Sequence, residues 1–586
     1  MLKKSILVFL KNNLSLIVLL FFGNISWSLT MVKSGLCWDA KCASGIGFWG
    51  PNGHDGIWHL AIIERLSRFS LESPVFAGES IRNYHLGFGI ITALIHKITS
   101  IEISVLYFQI LPIVFSLLIG LLVYKFILKW RGSKKEAWWS LFFVYFGSGF
   151  GFVVTLLRSG VITGESMFWS QQAVSTLVNP PFALSLIFML SGFIFLIRYL
   201  EHGHLKDMIL SSLFLGLLIQ IKSYAGVLVL LGLGVSSLWQ VIQKRKFSLL
   251  KVLILSSLIS FAVFFPFIKQ SSKMLVFQPF WFLETMMTYS DRLGWDRFYS
   301  AMTTYKMGKI WFKEILAYGA AFVIFLVGNM GSRIIGFYIF VKMFKKEIKF
   351  SEFEVFVFSI VFFAVSIPMF FVQKGTPWNT IQFFYYFLFF FSLFAGISLS
   401  GLLNKTKLIF KRLLLLLVLS LAFLGGWSTL CHYLPSVPPA KLSNEEHKAL
   451  TYLAKQPDGV VLTYPFDNFK AKEAELNAPR PLYLYVSSAY VSAFSNKTVF
   501  LEDEVNLDIT GYDWKSRREK VLGFISNLNE EEGRKFLKVN KIKYLYLVKV
   551  ISPLPGEKLK LGESQLGLTQ IFGNEEVDIF MVKSEI

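Results

Sequence analysis

The stretch LIFKRLLLLLVLSLAFLGGWSTLC, residues 408 to 431, carries its only charges near its start and is otherwise apolar throughout. A helix needs roughly 20 such residues to cross a bilayer. Similar runs recur at about 10–32, 104–126, 137–158, 178–199, 207–222, 223–242, 249–268, 316–342, 353–373 and 380–402. Apolar segments of this length satisfy their backbone inside lipid only as helices. The expected fold is therefore an α-helical polytopic membrane protein with about eleven transmembrane helices. Composition agrees: 54% of the 586 residues are hydrophobic and only 17% charged, against about 25% charged in soluble domains.

The formal charge of +21 does not point to nucleic acid. Much of the Lys and Arg falls in short loops beside the apolar runs, at 125–135, 243–246, 342–349 and 404–407. That distribution orients membrane spans, with basic loops cytoplasmic, and suits contact with anionic lipids. One assignment keeps all four loops inside. It treats YHLGFGIITALIHKIT (84–99), too short to span, as an interfacial segment. The N-terminus is then cytoplasmic on an uncleaved first span, and residues 33–103 form a long first external loop. The membrane domain occupies 1–432.

After residue 433 the composition changes. A proline-bearing linker leads to a soluble extracytoplasmic α/β domain, 433–586. Ser443 stands where it caps a helix running past Glu446. GVVLTY, YVSAFS, TVFL and IKYLYLV read as strands, and KSRREKVLGFISNL and EEEGRKFLKV as helices. Cys37 and Cys42 are either bridged, in an oxidising compartment, or two free thiols.

The stretch GPNGHDGIWHLAIIERLSRFS (50–70) carries the most chemistry. At 100° per residue, Asp55, Trp58, His59, Ile62, Leu66 and Phe69 share one helix face, with Glu64 and Arg68 opposite. Asp55 and His59 are thus expected to point inward with the apolar stripe. Asp55 is either a helix N-cap or a carboxylate held for chemistry. The glycines beside it suggest a sharp turn that lets a substrate approach closely. His54, Asp55 and His59 match no D-x-D or H-x-x-x-H pattern, so a divalent metal is left open. Lys222 interrupts an apolar run and is either functional or a snorkelling span-end lysine. Arg292, Lys374 and Asn379 lie in expected outer loops and suit a phosphate.

Taken together, the stretches resemble the GT-C membrane glycosyltransferases. The likeness lies in HDGIWHLAIIERL in a long loop after the first span, YHLGFGIITALIHKIT leading into the next, and STLVNPPFALSLIFMLSGFIFLIRYL. It extends to a C-terminal soluble domain containing YVSAFSNKTVFLEDEV and LKVNKIKYLYL. The resemblance implies a polyprenyl-phosphate sugar donor, a glycan, lipid or protein acceptor, and transfer on the extracytoplasmic side. It implies Asp55 as catalytic residue, with His54, His59, Lys222, Arg292, Lys374 and Asn379 around the substrates. The second acidic residue that accompanies the first in many members is not evident beside Asp55. Two other readings are a lipid-linked sugar flippase or transporter and a non-catalytic cell-envelope assembly protein. No internal repeat of the kind common in transporters is visible.

Overall fold

A computed structural model describes residues 2–39, 41–268, 275–348, 350–527, 529–549 and 563–583. Among the described residues, ten helices are long and apolar enough to cross a membrane, as in an integral membrane protein. The expected span at 207–222 is the helix Leu205–Ile221, whose 17 residues fall just short of that length. The interfacial segment is the 13-residue helix Gly87–Thr99.

The chain forms two compact units. The first comprises Met1–Thr30, Pro112–Pro266 and Ser271–Tyr433 and holds most of the long helices. Local chemistry sets their ends. The Asn179 side chain accepts from the Phe182 amide at the start of Pro180–His202. Pro180 there occupies a position whose N–H would have no helical partner. Ser351 and Glu354 form a capping box at the start of Glu352–Phe370.

The basic stretches of this unit meet at one end of its helices. Glu136 pairs with Arg131 at 3.2 Å and with Lys342 at 3.3 Å. Glu347 pairs with Lys405 at 2.5 Å, and Glu352 with Lys244. These ion pairs link three of the basic loops, and the fourth, 243–246, is tied to the start of the helix Glu352–Phe370 just after 342–349, so one end of the bundle carries them all.

The second unit comprises Met31–Leu111, Phe267–Gln270 and Leu434–Ile586. The residues after the first span are therefore folded together with the chain that follows the last one. One four-stranded sheet runs in the order Leu36–Cys37, Ile46–Phe48, Ala440–Leu442, Arg480–Pro481. Cys37 and Cys42 are joined by a disulfide across its edge turn. A second sheet runs Val460–Thr463, Ile542–Val548, Val577–Val582, Leu568–Gly573. Ser443 caps Asn444–Ala454 by accepting from the Glu446 amide. Trp514–Ser526 and Glu530–Val539 are helices.

Two expected strands are not strands. Residues 498–501 contribute only an isolated bridge, Val461 to Val499. Tyr490–Ser495 is a short helix. The cause is tertiary: the buried Glu502 carboxylate accepts from the Val491 and Ser492 amides at 2.7 and 3.1 Å. It thereby satisfies donors that a helix N-terminus leaves open.

In the first unit, helix Gln382–Lys405 packs tightly on Lys134–Phe146 through Gly396. A Cβ there would lie 2.1 Å from the Ser140 nitrogen and 2.3 Å from its Cα. Small residues let membrane helices approach this closely. Gly396→Ala should lower the apparent melting temperature in detergent, at a cost of about 1–3 kcal/mol from overpacking. Gly319→Ala, in Trp311–Met330 with nothing within 4 Å of the added carbon, should not lower it. Equal melting of the two variants would contradict this packing.

Candidate active site

The loop before the helix Asp55–Ser67 is held from several sides. Ser34 Oγ accepts from the Trp49 amide and from Asn52 Nδ2, both at 3.0 Å. The Tyr485 hydroxyl donates to the Gly50 carbonyl at 3.2 Å. The sharp turn falls at Gly50, whose φ is +57°. Gly53 and Gly56 serve packing instead of substrate approach. A Cβ on Gly53 would meet Ala440 Cβ at 2.9 Å and Tyr485 at 3.0 Å, and one on Gly56 would meet Phe108 at 3.0 Å.

The helix begins at Asp55, with His54 in the cap position and no side-chain cap bond. Asp55 does not point inward as the helical wheel suggested. Its side chain is 59% exposed, whereas Trp58, His59 and Ile62 are buried. The first residue of a helix has no preceding turn to cover it, so the periodicity that buries the later residues does not bury this one. Glu64 and Arg68 pair on the other side at 3.0 Å.

Asp55 is anchored by His54. The imidazole Nδ1 contacts Asp55 Oδ1 at 2.8 Å, and Nε2 contacts Asp503 Oδ1 at 3.3 Å. Both ring nitrogens face carboxylates, and both can donate only when the ring is protonated. Burial by itself drives the His54 pKa down. Asp503, and after it Asp55, outweigh that effect and push it from 6.5 up to about 10. Asp503 is fully buried and stands at the start of the helix Glu504–Thr510, where it accepts from the Asn506 amide at 3.1 Å and from Asn506 Nδ2 at 2.8 Å.

Sequence reasoning missed Asp503. Its signal is LEDEV, three successive carboxylates after an apolar run. Solvated acidic runs look the same, so only the fold singles out the middle one.

One turn beyond Asp55, His59 stacks on Tyr107 at 5.7 Å and meets Phe88 edge-on at 5.5 Å. Nearby, Asn52 Oδ1, Trp58 Nε1 and the Tyr107 hydroxyl are buried with no hydrogen-bond partner among the described residues. Native proteins leave few such groups, and each calls for an explanation. Three such groups lie on the elements around Asp55.

The donor set does not fit a divalent metal. His54 offers no free nitrogen lone pair, and Asp503 is engaged by His54 and Asn506. Among the described residues, no three His, Cys, Asp or Glu side chains come together to hold a metal.

The other expected site residues belong to the first unit. Lys222 lies in the break between Leu205–Ile221 and Ser223–Lys244 and is 5% exposed, buried instead of snorkelling. Its ammonium donates to Asn179 Oδ1 at 3.3 Å and lies 5.4 Å from the Tyr224 ring. Asn179 also bonds Gln382, and Tyr224 bonds Gln373. Arg292 stacks its guanidinium on Trp169 at 4.3 Å and contacts Asp291 at 3.4 Å. Lys374 is exposed, and Asn379 donates to Thr376 Oγ1 at 3.2 Å.

No protein-family model matches the chain, and no curated protein matches it. Solved structures do. The Archaeoglobus fulgidus oligosaccharyltransferase tethered to an acceptor peptide matches at TM-score 0.50 and 13% identity, over 92% of this chain and 70% of that one. The arabinofuranosyltransferase AftD from Mycobacteria matches at TM-score 0.51 and 10% identity, over 98% of this chain and 40% of that one. The fold is GT-C. ArnT from Cupriavidus metallidurans, bound to undecaprenyl phosphate, also aligns, at TM-score 0.44 and 10% identity over 97% of this chain and 98% of that one. At these identities the GT-C likeness is one of fold.

The electrostatics at His54 predict a pH dependence. Its folded pKa, about 10, lies above the ordinary 6.5, so the native state holds this proton more tightly than the unfolded chain. The resulting stabilisation is complete below about pH 6.5 and is lost as pH rises toward 10. Asp503→Asn removes the largest favourable partner and should flatten the fall of melting temperature between pH 6.5 and 10. An unchanged slope would place the pH dependence elsewhere.

Proposed function

We propose that the protein is a glycosyltransferase that moves a sugar from a polyprenyl-phosphate donor to an acceptor hydroxyl or amine on the extracytoplasmic side of the membrane. The observation that carries this reading is an exposed carboxylate, Asp55, anchored by His54 and through it by the buried Asp503, within a GT-C-like fold. Asp55 is reachable by substrate yet held in one orientation. Its place in the first turn of a helix favours the ionised form by about 0.3–1 kcal/mol.

In this reading the acceptor oxygen or nitrogen attacks the anomeric carbon. The bond from that carbon to the phosphate oxygen breaks, and its electron pair leaves with the lipid phosphate. The acceptor proton passes to Asp55, a general base. The transition state is oxocarbenium-like, and one displacement inverts the anomeric centre. His54 and Asp503 are positioning residues: the imidazolium fixes the carboxylate, and Asp503 fixes the imidazolium. Lys222, in its polar surroundings, is assigned to the lipid phosphate, whose departing charge requires a fixed cation.

Purified protein in nanodiscs, supplied with a panel of undecaprenyl-phosphate monosaccharides, tests both assignments. Asp55→Asn should bind donor, stay folded and lose about 10²–10⁴-fold in transfer. Lys222→Met should weaken donor binding instead. Wild-type turnover by Asp55→Asn would refute the base, and unchanged donor affinity would release Lys222 from its role. Complementation of a deletion strain, read by mass analysis of its envelope glycans, checks the same point in cells.

The reading also fixes an orientation. The shared basic face of the bundle lies in the cytoplasm, and residues 434 onward lie outside. In a Cys431→Ser background, an impermeant maleimide should label Lys455→Cys in intact cells and leave Lys135→Cys unlabelled. The reverse pattern would invert the topology.

A further inference from the structure

A two-stranded antiparallel ribbon lies in the first unit, at the end of the bundle away from the basic loops. Its strands are Leu275–Phe277 and Phe371–Gln373, with Leu275 opposite Gln373 and Phe277 opposite Phe371. The second strand follows the membrane-length helix Glu352–Phe370 without a break, and that helix starts beside Lys244 at the basic end. Two bonds tie the ribbon to the bundle. The Tyr224 hydroxyl donates to Gln373 Oε1 at 3.2 Å, and the Gln278 amide donates to the Phe370 carbonyl at 2.9 Å.

The ribbon's outward face is apolar. Leu275, Phe277 and Phe371 share it by the alternation of a strand, and all three are exposed in the folded chain, Phe277 by 66%. The Phe277 and Phe371 rings meet edge-on at 5.6 Å. Val372, on the opposite face, is buried. From Leu275 to Phe280 and from Phe370 to Trp378 the one charged residue is Lys374, which is exposed. In water, so apolar a ribbon would be an aggregation site. The spans Ser248–Phe267 and Pro377–Lys405 have Ser248 and Lys405 at the basic end, and each presents an exposed aromatic at the other, Phe265 and Trp378. Aromatic rings gather where a membrane meets water.

The backbone decides the depth. Among the described residues the sheet has two strands only, so each strand keeps one edge without a strand partner. Lipid-exposed open edges do not occur in the hydrocarbon core, where nothing satisfies their N–H and C=O groups. At the boundary, water and headgroups can. We propose that this ribbon is a lipid-contacting surface: its Leu275, Phe277 and Phe371 face lies between the headgroups and the acyl chains, with the Lys374 ammonium raised to the lipid phosphates. The proposal does not depend on the transferase reading.

Site-directed spin labelling of the full chain in liposomes tests it. Cys431→Ser removes the free thiol, and Cys37 and Cys42 are bridged. In that background single nitroxides are placed at Phe277→Cys and at Leu275→Cys, two exposed positions where a label displaces no packed side chain. Collision with oxygen, which concentrates in lipid, is compared with collision with a water-soluble nickel chelate. Both labels should favour oxygen and report a depth of about 5–10 Å into the headgroup and acyl boundary. Leu419→Cys, exposed near the middle of the span Leu408–Tyr433, marks the bilayer core and should read deeper. A preference for nickel at either ribbon position would place the face in water and overturn the proposal. Shielding from both reagents would overturn it as well, because a second copy or another protein would then cover the face. So would a depth equal to that of Leu419→Cys, which the open strand edges forbid.

Discussion

The candidate site depends on backbone pairing between parts of the chain nearly 400 residues apart. Ile46–Phe48 runs antiparallel to Ala440–Leu442, with Gly47 opposite Lys441. A second clamp follows: Ala77 donates to Val499, Val499 to Pro74, and Glu502 to Val75, at 2.8 to 3.0 Å. Asp503 is the next residue. These backbone hydrogen bonds therefore set the position of this carboxylate before its side chain makes any contact. Closing so long a loop costs little more than closing a shorter one, because the entropy grows only with the logarithm of length. That makes it physically reasonable for a site to draw on both ends of a membrane protein.

This architecture explains which parts of the molecule the sequence discloses. The long helices are legible because lipid demands about 20 apolar residues wherever a helix crosses. Asp55 and His54 stood out through their setting at the mouth of a helix. Tyr490–Ser495 was not legible, since its aromatic and small residues fit either a strand or a helix. A carboxylate from another segment decides the matter. The inward turn expected for Asp55 failed for a related reason: a helical wheel treats every residue alike, and a first-turn residue has fewer covering neighbours. Asp503 was illegible because its partner is 449 residues away.

The geometry at Asp503 carries a cost that bears on its role. Its φ is +52°, in the left-handed region, which L-residues other than glycine adopt at roughly 1–2 kcal/mol and which Asp tolerates better than most. Its carboxylate is buried as well, which is expensive without partners. Three groups offset these penalties: the Asn506 amide, the Asn506 side chain and the His54 ring. The two Asn506 bonds would be enough to cap a seven-residue helix. The bond to His54 adds nothing to that cap; its consequence is a protonated ring aimed at Asp55. A bare exposed aspartate samples several rotamers and presents its charge in no fixed direction. Here the contact with His54 restricts those rotamers while the side chain stays 59% exposed. Strain and burial are thus placed one step behind the exposed carboxylate, so Asp55 gains a fixed orientation without losing its exposure.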